Sequence, residues 1–231
     1  MFTINSPKPM AHTLRVLAAL LSYPDATLRG HLTEMANLLS AERALSATRR
    51  QELLALMAHL RRTDPLQLEA DYVELFDRGR ATSLHLFEHV YGDSRERGPA
   101  MIDLGQTYEK AGLVLAEGEL PDYLPAVLEF VSTQPAREAR AFLGEMSHIF
   151  NAIFGALQHH GSAHASVLGA LIELAGEKAT PVAPPAEMPL DEAWAEPVVF
   201  DGCSSQGQAK PGQPQPVHIV RKMHTAQGVA P

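Results

Sequence analysis

The chain has 231 residues, 45% of them hydrophobic, and a formal net charge of −8. That apolar fraction is enough for one core, and the acidic balance argues against a nucleic-acid binder, which needs a basic patch or stripe. One cysteine, Cys203, excludes an intrachain disulfide framework and a cysteine-rich zinc site.

The elements read as helix after helix. The first covers about residues 10–22, with Leu14, Leu17, Ala18 and Leu21 on one face. Its apolar run, residues 14–21, is short and interrupted by Arg15, so neither a signal peptide nor a membrane span is expected. Pro24 opens a second helix carrying Leu28, Leu32, Met35 and Leu39. A third spans about 46–62, with Leu53, Leu56, Met57 and Leu60 inward. Asp64 followed by Pro65 is an N-cap signature, and it leads into the most unusual stretch, residues 68–98.

That stretch starts as an amphipathic helix with Leu68, Tyr72, Leu75 and Phe76 on one face. It breaks at residues 77–80 and is expected to continue as a loop. Phe87, His89 and Tyr91 are interleaved there with Glu88, Asp93, Arg95, Glu96 and Arg97. So much apolar surface in a loop implies packing on the body or a partner. Gly98 and Pro99 start a further helix, with Met101, Leu104 and Tyr108 toward the core and Gly112 as its stop. Leu120, Pro121 and Asp122 open the next, with Leu124, Val127, Leu128 and Val131. Pro135 precedes the longest periodic run, from Ala139 to Leu157, expected as one central helix. His159, His160 and Gly161 end it, and Ser162 caps a last helix with Val167, Leu168, Leu171 and Leu174.

No alternating strand and no repeat is evident. The class is all-α, a single helical-bundle-like domain of about eight helices over residues 10–176. From about residue 177 the composition changes: nine of the 17 prolines lie from Pro181 onward. This reads as a flexible tail, 177–231. One apolar island, 190–200, holds the single tryptophan, Trp194, and reads as a docking segment.

Enzymatic chemistry finds little footing. His85, Glu88 and His89 match H-x-x-E-H, an inverted zinc-peptidase pattern, but a third ligand and a larger α/β framework are missing. A zinc-dependent hydrolase at these residues is the alternative reading; the plainer one packs Phe87 and leaves both histidines hydrogen-bonded at the surface. His159, His160 and His164 fit a helix end better than a metal site. Arg78, Arg80, Arg95 and Arg97 could grip an anion such as a cofactor phosphate, or pair with the many local carboxylates. Cys203 lacks a neighbouring base.

Residues 72–98, YVELFDRGRATSLHLFEHVYGDSRERG, followed by AMIDL at 100–104, resemble the NarJ-type nitrate reductase assembly chaperones. These are the delta chain of the respiratory operon, within the wider TorD/DmsD group of redox-enzyme maturation proteins. LLSYPD near the start, ELPDYLPAVLEF at 119–130 and LDEAWAEPVVF in the tail fit the same family. The resemblance implies an all-helical, non-enzymatic chaperone in the cytoplasm, absent from the finished enzyme. It would bind the apo catalytic α subunit, chiefly through its N-terminal segment, with cofactor-delivery proteins as further partners. That would hold the subunit competent for molybdenum cofactor insertion before membrane docking, with no cofactor stably bound to the chaperone and no membrane insertion of its own.

In the wider group an L-P-D-H element is associated with leader binding. It falls on Leu120, Pro121, Asp122 and Tyr123, so Tyr123 stands in place of the histidine and cannot become cationic near neutral pH. The implied peptide-binding set is Tyr72, Phe76, Arg78, Phe87, Glu88, His89, Asp122, Tyr123 and Trp194. Asp122 and Glu88 are expected to meet a basic ligand residue, and the aromatics to supply apolar contact. Core packing is the competing role for Tyr72 and Phe76, and helix capping for Asp122.

Overall fold

The computed structural model describes residues 10–180 except Asp93. Ten α-helices account for most of them: α1 (Ala11–Leu21), α2 (Ala26–Glu42), α3 (Ala47–Arg62), α4 (Pro65–Tyr72), α5 (Leu86–Val90), α6 (Arg97–Lys110), α7 (Leu124–Thr133), α8 (Ala136–Glu145), α9 (Ser147–His159) and α10 (Ala165–Ala175). No strand is present among the described residues beyond one isolated antiparallel bridge, His85 with Tyr123. The all-α class holds.

Local capping explains the first boundaries. Asp25 accepts from the Leu28 N–H at 2.8 Å and Ser46 from the Arg49 N–H at 3.3 Å. Asp64 accepts from Leu66 and Gln67 at 3.1 and 3.2 Å, with Pro65 behind it at the first helical position. Pro24 lies just before the Asp25 cap rather than inside the second helix. The N-terminus of α1 takes its cap from a distance, since Glu42 at the end of α2 accepts from the His12 and Thr13 N–H groups.

α10 is the hub. It packs against α1, α3, α8 and α9, while α1 also lies against α2 and α7. Val167, Leu168, Ala170 and Leu171 have no accessible surface. Burial of each such valine or leucine contributes about 1.5–3 kcal/mol. Glu173 ties α10 to α3 through the Ser46 N–H and hydroxyl. Gly169 lets the Arg49 guanidinium lie across α10, since a Cβ there would sit 2.6 Å from its Cζ.

Two expectations need correction. The run from Ala139 to Leu157 is two helices, broken at Met146 (φ −91°, ψ 0°). The apolar positions continue on both sides of the break, so periodicity does not reveal it. The stretch after residue 80 is also not simply a loop, because it contains α5. These two differences turn about eight helices into ten. In α6, Tyr108 is buried but Met101 and Leu104 are only half-buried. The 190–200 island, Trp194 and Cys203 lie outside the described residues; residues 177–180 are exposed and non-helical.

Candidate functional site

The site is built where α4 ends. After Tyr72 the chain widens into a π turn (Val73–Asp77), marked by the Arg78 N–H donating to the Val73 carbonyl at 3.1 Å. Such turns recur at functional positions because they re-aim side chains. Here Tyr72 and Phe76 stay on one face, both buried, with ring centroids 4.9 Å apart. A 3₁₀ turn (Arg80–Thr82) follows, anchored by the buried Thr82 hydroxyl on the carbonyls of Leu75 and Gly79. Gly79 is required there: a Cβ would collide with Thr82 Oγ1 and lie 2.6 Å from the Leu75 carbonyl oxygen.

Residues 84–86 then run antiparallel to 122–124. The Leu124 N–H donates to the Leu84 carbonyl at 2.8 Å and the Leu86 N–H to the Asp122 carbonyl at 3.0 Å. From α6, the buried Tyr108 hydroxyl donates to the Pro121 carbonyl at 2.7 Å and clamps the same segment. Burial first, and then the Asp122 charge, push the Tyr108 hydroxyl well above its ordinary pKa.

Asp122 is the electrostatic centre of this junction and has no accessible surface. It does not cap its own helix, whose N-cap is Tyr123. Its carboxylate instead accepts from the Phe87 N–H at 3.1 Å, within the first turn of α5, and thus caps a helix 35 residues earlier. It also meets His85 Nδ1 at 3.3 Å and Arg97 Nη2 at 3.8 Å. The hydrogen bond to Asp122 raises the His85 pKa against the opposing effect of burial. Arg97 also reaches Glu88 at 3.6 Å.

Beside this junction opens a cleft of about 440 Å³. Tyr23, Tyr72, Phe76, Leu84, Tyr123 and Leu120 supply its apolar walls, with Asp77, His85, Gly118 and Glu119 completing the lining. The Tyr72 hydroxyl donates to the Leu21 carbonyl at 2.9 Å and lies 3.1 Å from the Tyr123 hydroxyl, which therefore donates to it. Burial drives the Tyr72 pKa strongly upward, so the ring stays neutral. Tyr23 meets Tyr72 edge-on at 5.5 Å, and the His85 ring lies 5.4 Å from the Tyr123 ring. The imidazole that position 123 lacks is thus present across the bridge, on His85.

Of the residues singled out from sequence, the cleft gathers Tyr72, Phe76 and Tyr123. Asp122 sits at the adjoining junction, fully occupied. Phe87, Glu88 and His89 belong to α5 and do not line the cleft. Phe87 packs edge-on against Tyr91 at 5.3 Å, and His89 Nε2 meets the Ser83 carbonyl at 2.9 Å. Arg78 is exposed and paired with Glu74 at 2.8 Å. Trp194 lies outside the described residues. Sequence reasoning passed over Tyr23 and Glu119, although both lie in blocks that carry the resemblance, LLSYPD and ELPDYLPAVLEF; neither residue matches a pattern of chemistry on its own.

The hydrolase alternative is not supported. His85 precedes α5 in an extended conformation and is not one helical turn from His89 on a shared face. Each imidazole is engaged by a protein oxygen. Among the described residues no group of three histidine, cysteine, aspartate or glutamate side chains is placed to hold a metal. No described helix is long and apolar enough to cross a membrane.

The sequence profile of the nitrate reductase delta subunit matches residues 42–168. The chain belongs to the nitrate reductase delta subunit family. The Escherichia coli (strain K12) nitrate reductase molybdenum cofactor assembly chaperone NarJ is 43% identical over 162 residues, covering 70% of this chain and 69% of that one. The nitrate reductase-like protein NarX of Mycobacterium tuberculosis (strain H37Rv) is 38% identical over 128 residues, 54% of this chain and 18% of that one. A crystal structure from Archaeoglobus fulgidus, described as a redox enzyme maturation protein, shares the fold with a TM-score of 0.54 at 20% identity. It covers 73% of this chain and 94% of that one. For a delta subunit family member the cleft and the 84–86/122–124 junction join the two blocks, 72–98 and 119–130, that carry the resemblance in sequence.

Proposed function

We propose that this protein is an assembly chaperone of nitrate reductase that acts in the cytoplasm without being part of the finished enzyme. It binds the apo catalytic α subunit, chiefly through that subunit's N-terminal segment, and holds it competent for molybdenum cofactor insertion before membrane docking. Likeness to NarJ of Escherichia coli over most of the chain carries the assignment. The cleft adds a physical reason, because it is apolar, aromatic and large enough for side chains of a bound peptide, with a negative rim.

Within this reading the implied residues divide by role. Tyr72, Phe76 and Tyr123 are contact surface, all held by packing, and the two tyrosines also by hydrogen bonds, before a ligand arrives. Asp122 is a positioning residue that fixes α5 and the 122–124 segment. Phe87, Glu88 and His89 form a neighbouring surface on α5. The Arg97 side chain is engaged with Asp122 and Glu88, which favours a structural role over a phosphate grip. The helical domain is proposed to end near residue 176, where Gly176 (φ +88°) closes α10, leaving 177–231 as the tail.

The test is co-purification. In cells unable to make the molybdenum cofactor, the tagged protein is expected to retain the nitrate reductase α subunit, and a variant of that subunit lacking its N-terminal segment much less. Equal retention of full-length and truncated subunit, or of neither, contradicts the proposal.

A further inference from the structure

We propose that the cleft is a receptor for a cationic side chain, an arginine or lysine of the bound peptide, whose charge meets Asp77 and Glu119 and whose stem lies on Tyr23 and Tyr123. This rests on the peptide-binding reading above and names the acidic residues that select the ligand. Sequence reasoning gave that role to Asp122 and Glu88. The structure commits both elsewhere: Asp122 has no accessible surface, and Glu88 lies 3.6 Å from Arg97.

The other carboxylates nearby are similarly engaged. Glu69 pairs with Arg29 at 3.4 Å and Glu74 with Arg78 at 2.8 Å. Asp77 and Glu119 are different. Both line the cleft, both are exposed, and neither is paired with a cation among the described residues. Their charges reach the aromatic walls: burial is the larger cause, but Asp77 and Glu119 both raise the hydroxyl pKa of Tyr123, and Asp77 adds a smaller rise at Tyr72 and, behind Glu69, at Tyr23. An apolar ligand would desolvate these carboxylates without compensation, and an anionic one would be repelled. A long cation satisfies both features, its methylenes covering rings and its head meeting carboxylates. Tyr23, 44% exposed at the mouth, offers a ring face for that contact.

The probe is a synthetic peptide of the α-subunit N-terminus, titrated calorimetrically into the full-length protein at two salt concentrations. Asp77→Asn with Glu119→Gln is expected to weaken binding about tenfold at low salt and to flatten its salt dependence. Replacing the peptide's basic residues one at a time by glutamine should identify one whose loss matches that effect and adds little on the double variant. Tyr23→Ala is expected to bind several-fold more weakly. Both carboxylates are exposed, so unfolding midpoints should not change. Binding by the double variant with unaltered affinity and salt slope overturns the cation receptor and leaves the chaperone reading standing. A wild-type protein that binds no peptide overturns both.

Discussion

Asp122 illustrates how a residue's role depends on what surrounds it. A buried carboxylate is tolerated because three donors share its charge: a backbone N–H, His85 and Arg97. Asp122→Ala strands these groups and removes the cap of α5. It is expected to cost about 2–3 kcal/mol, read as a lower urea midpoint, with weaker peptide binding as a consequence. The two perturbed histidines give opposite pH trends. His85 has a raised pKa when folded, so its contribution is full below about 6.5 and is lost as pH rises through the folded value. Burial, then the neighbouring His59, pushes His164, edge-on to Phe76, down to about 4. Its neutral ring contributes fully above about 6.5, and on the order of 2–3 kcal/mol is lost as pH falls toward 4. Replacing His164 with glutamine should flatten the acid limb of stability against pH, and replacing His85 with asparagine the limb above about 6.5.

Among the elements, the π turn after Tyr72 and the short α5 are the ones that shape the cleft, and both are stabilised from outside themselves. The Tyr108 hydroxyl and the Asp122 carboxylate come from α6 and from the segment before α7. Tyr108→Phe keeps the ring and removes the bond to Pro121, so about 1 kcal/mol of stability and faster amide exchange over 118–124 are expected. Gly79→Ala forces a Cβ against Thr82 and the Leu75 carbonyl and should cost about 1–3 kcal/mol in denaturant unfolding. These dependencies also explain what was hidden at sequence level. The cap of α4, at Asp64, is local and was legible; the equally local caps of α2 and α3, at Asp25 and Ser46, were passed over. The cap of α5 arrives from 35 residues away, so residues 81–90 read as loop. The break at Met146 keeps the apolar pattern on both sides, so it was silent too.

On the scale of the molecule, the helical class followed from periodicity, and the family from two blocks brought together at one junction. The core was legible because a buried leucine needs only its spacing; Leu53, Leu56, Met57 and Leu60 all face inward as read. The site was less so, because a cleft is a product of several chain segments. Tyr23, Asp77 and Glu119 meet only after α1, α4 and the 112–121 connection have packed. Tyr72, Phe76 and Tyr123, singled out from sequence, do line it, whereas Asp122 and Glu88, expected to carry its charge, do not, and Asp122 lies in the core. The most direct measurement of the central claim is amide hydrogen exchange on the full-length protein with and without the α-subunit N-terminal peptide. The account predicts that added peptide slows exchange at residues 72–78, 84–87 and 118–124, around the cleft. Protection confined to other surfaces, or none at saturating peptide, would contradict it.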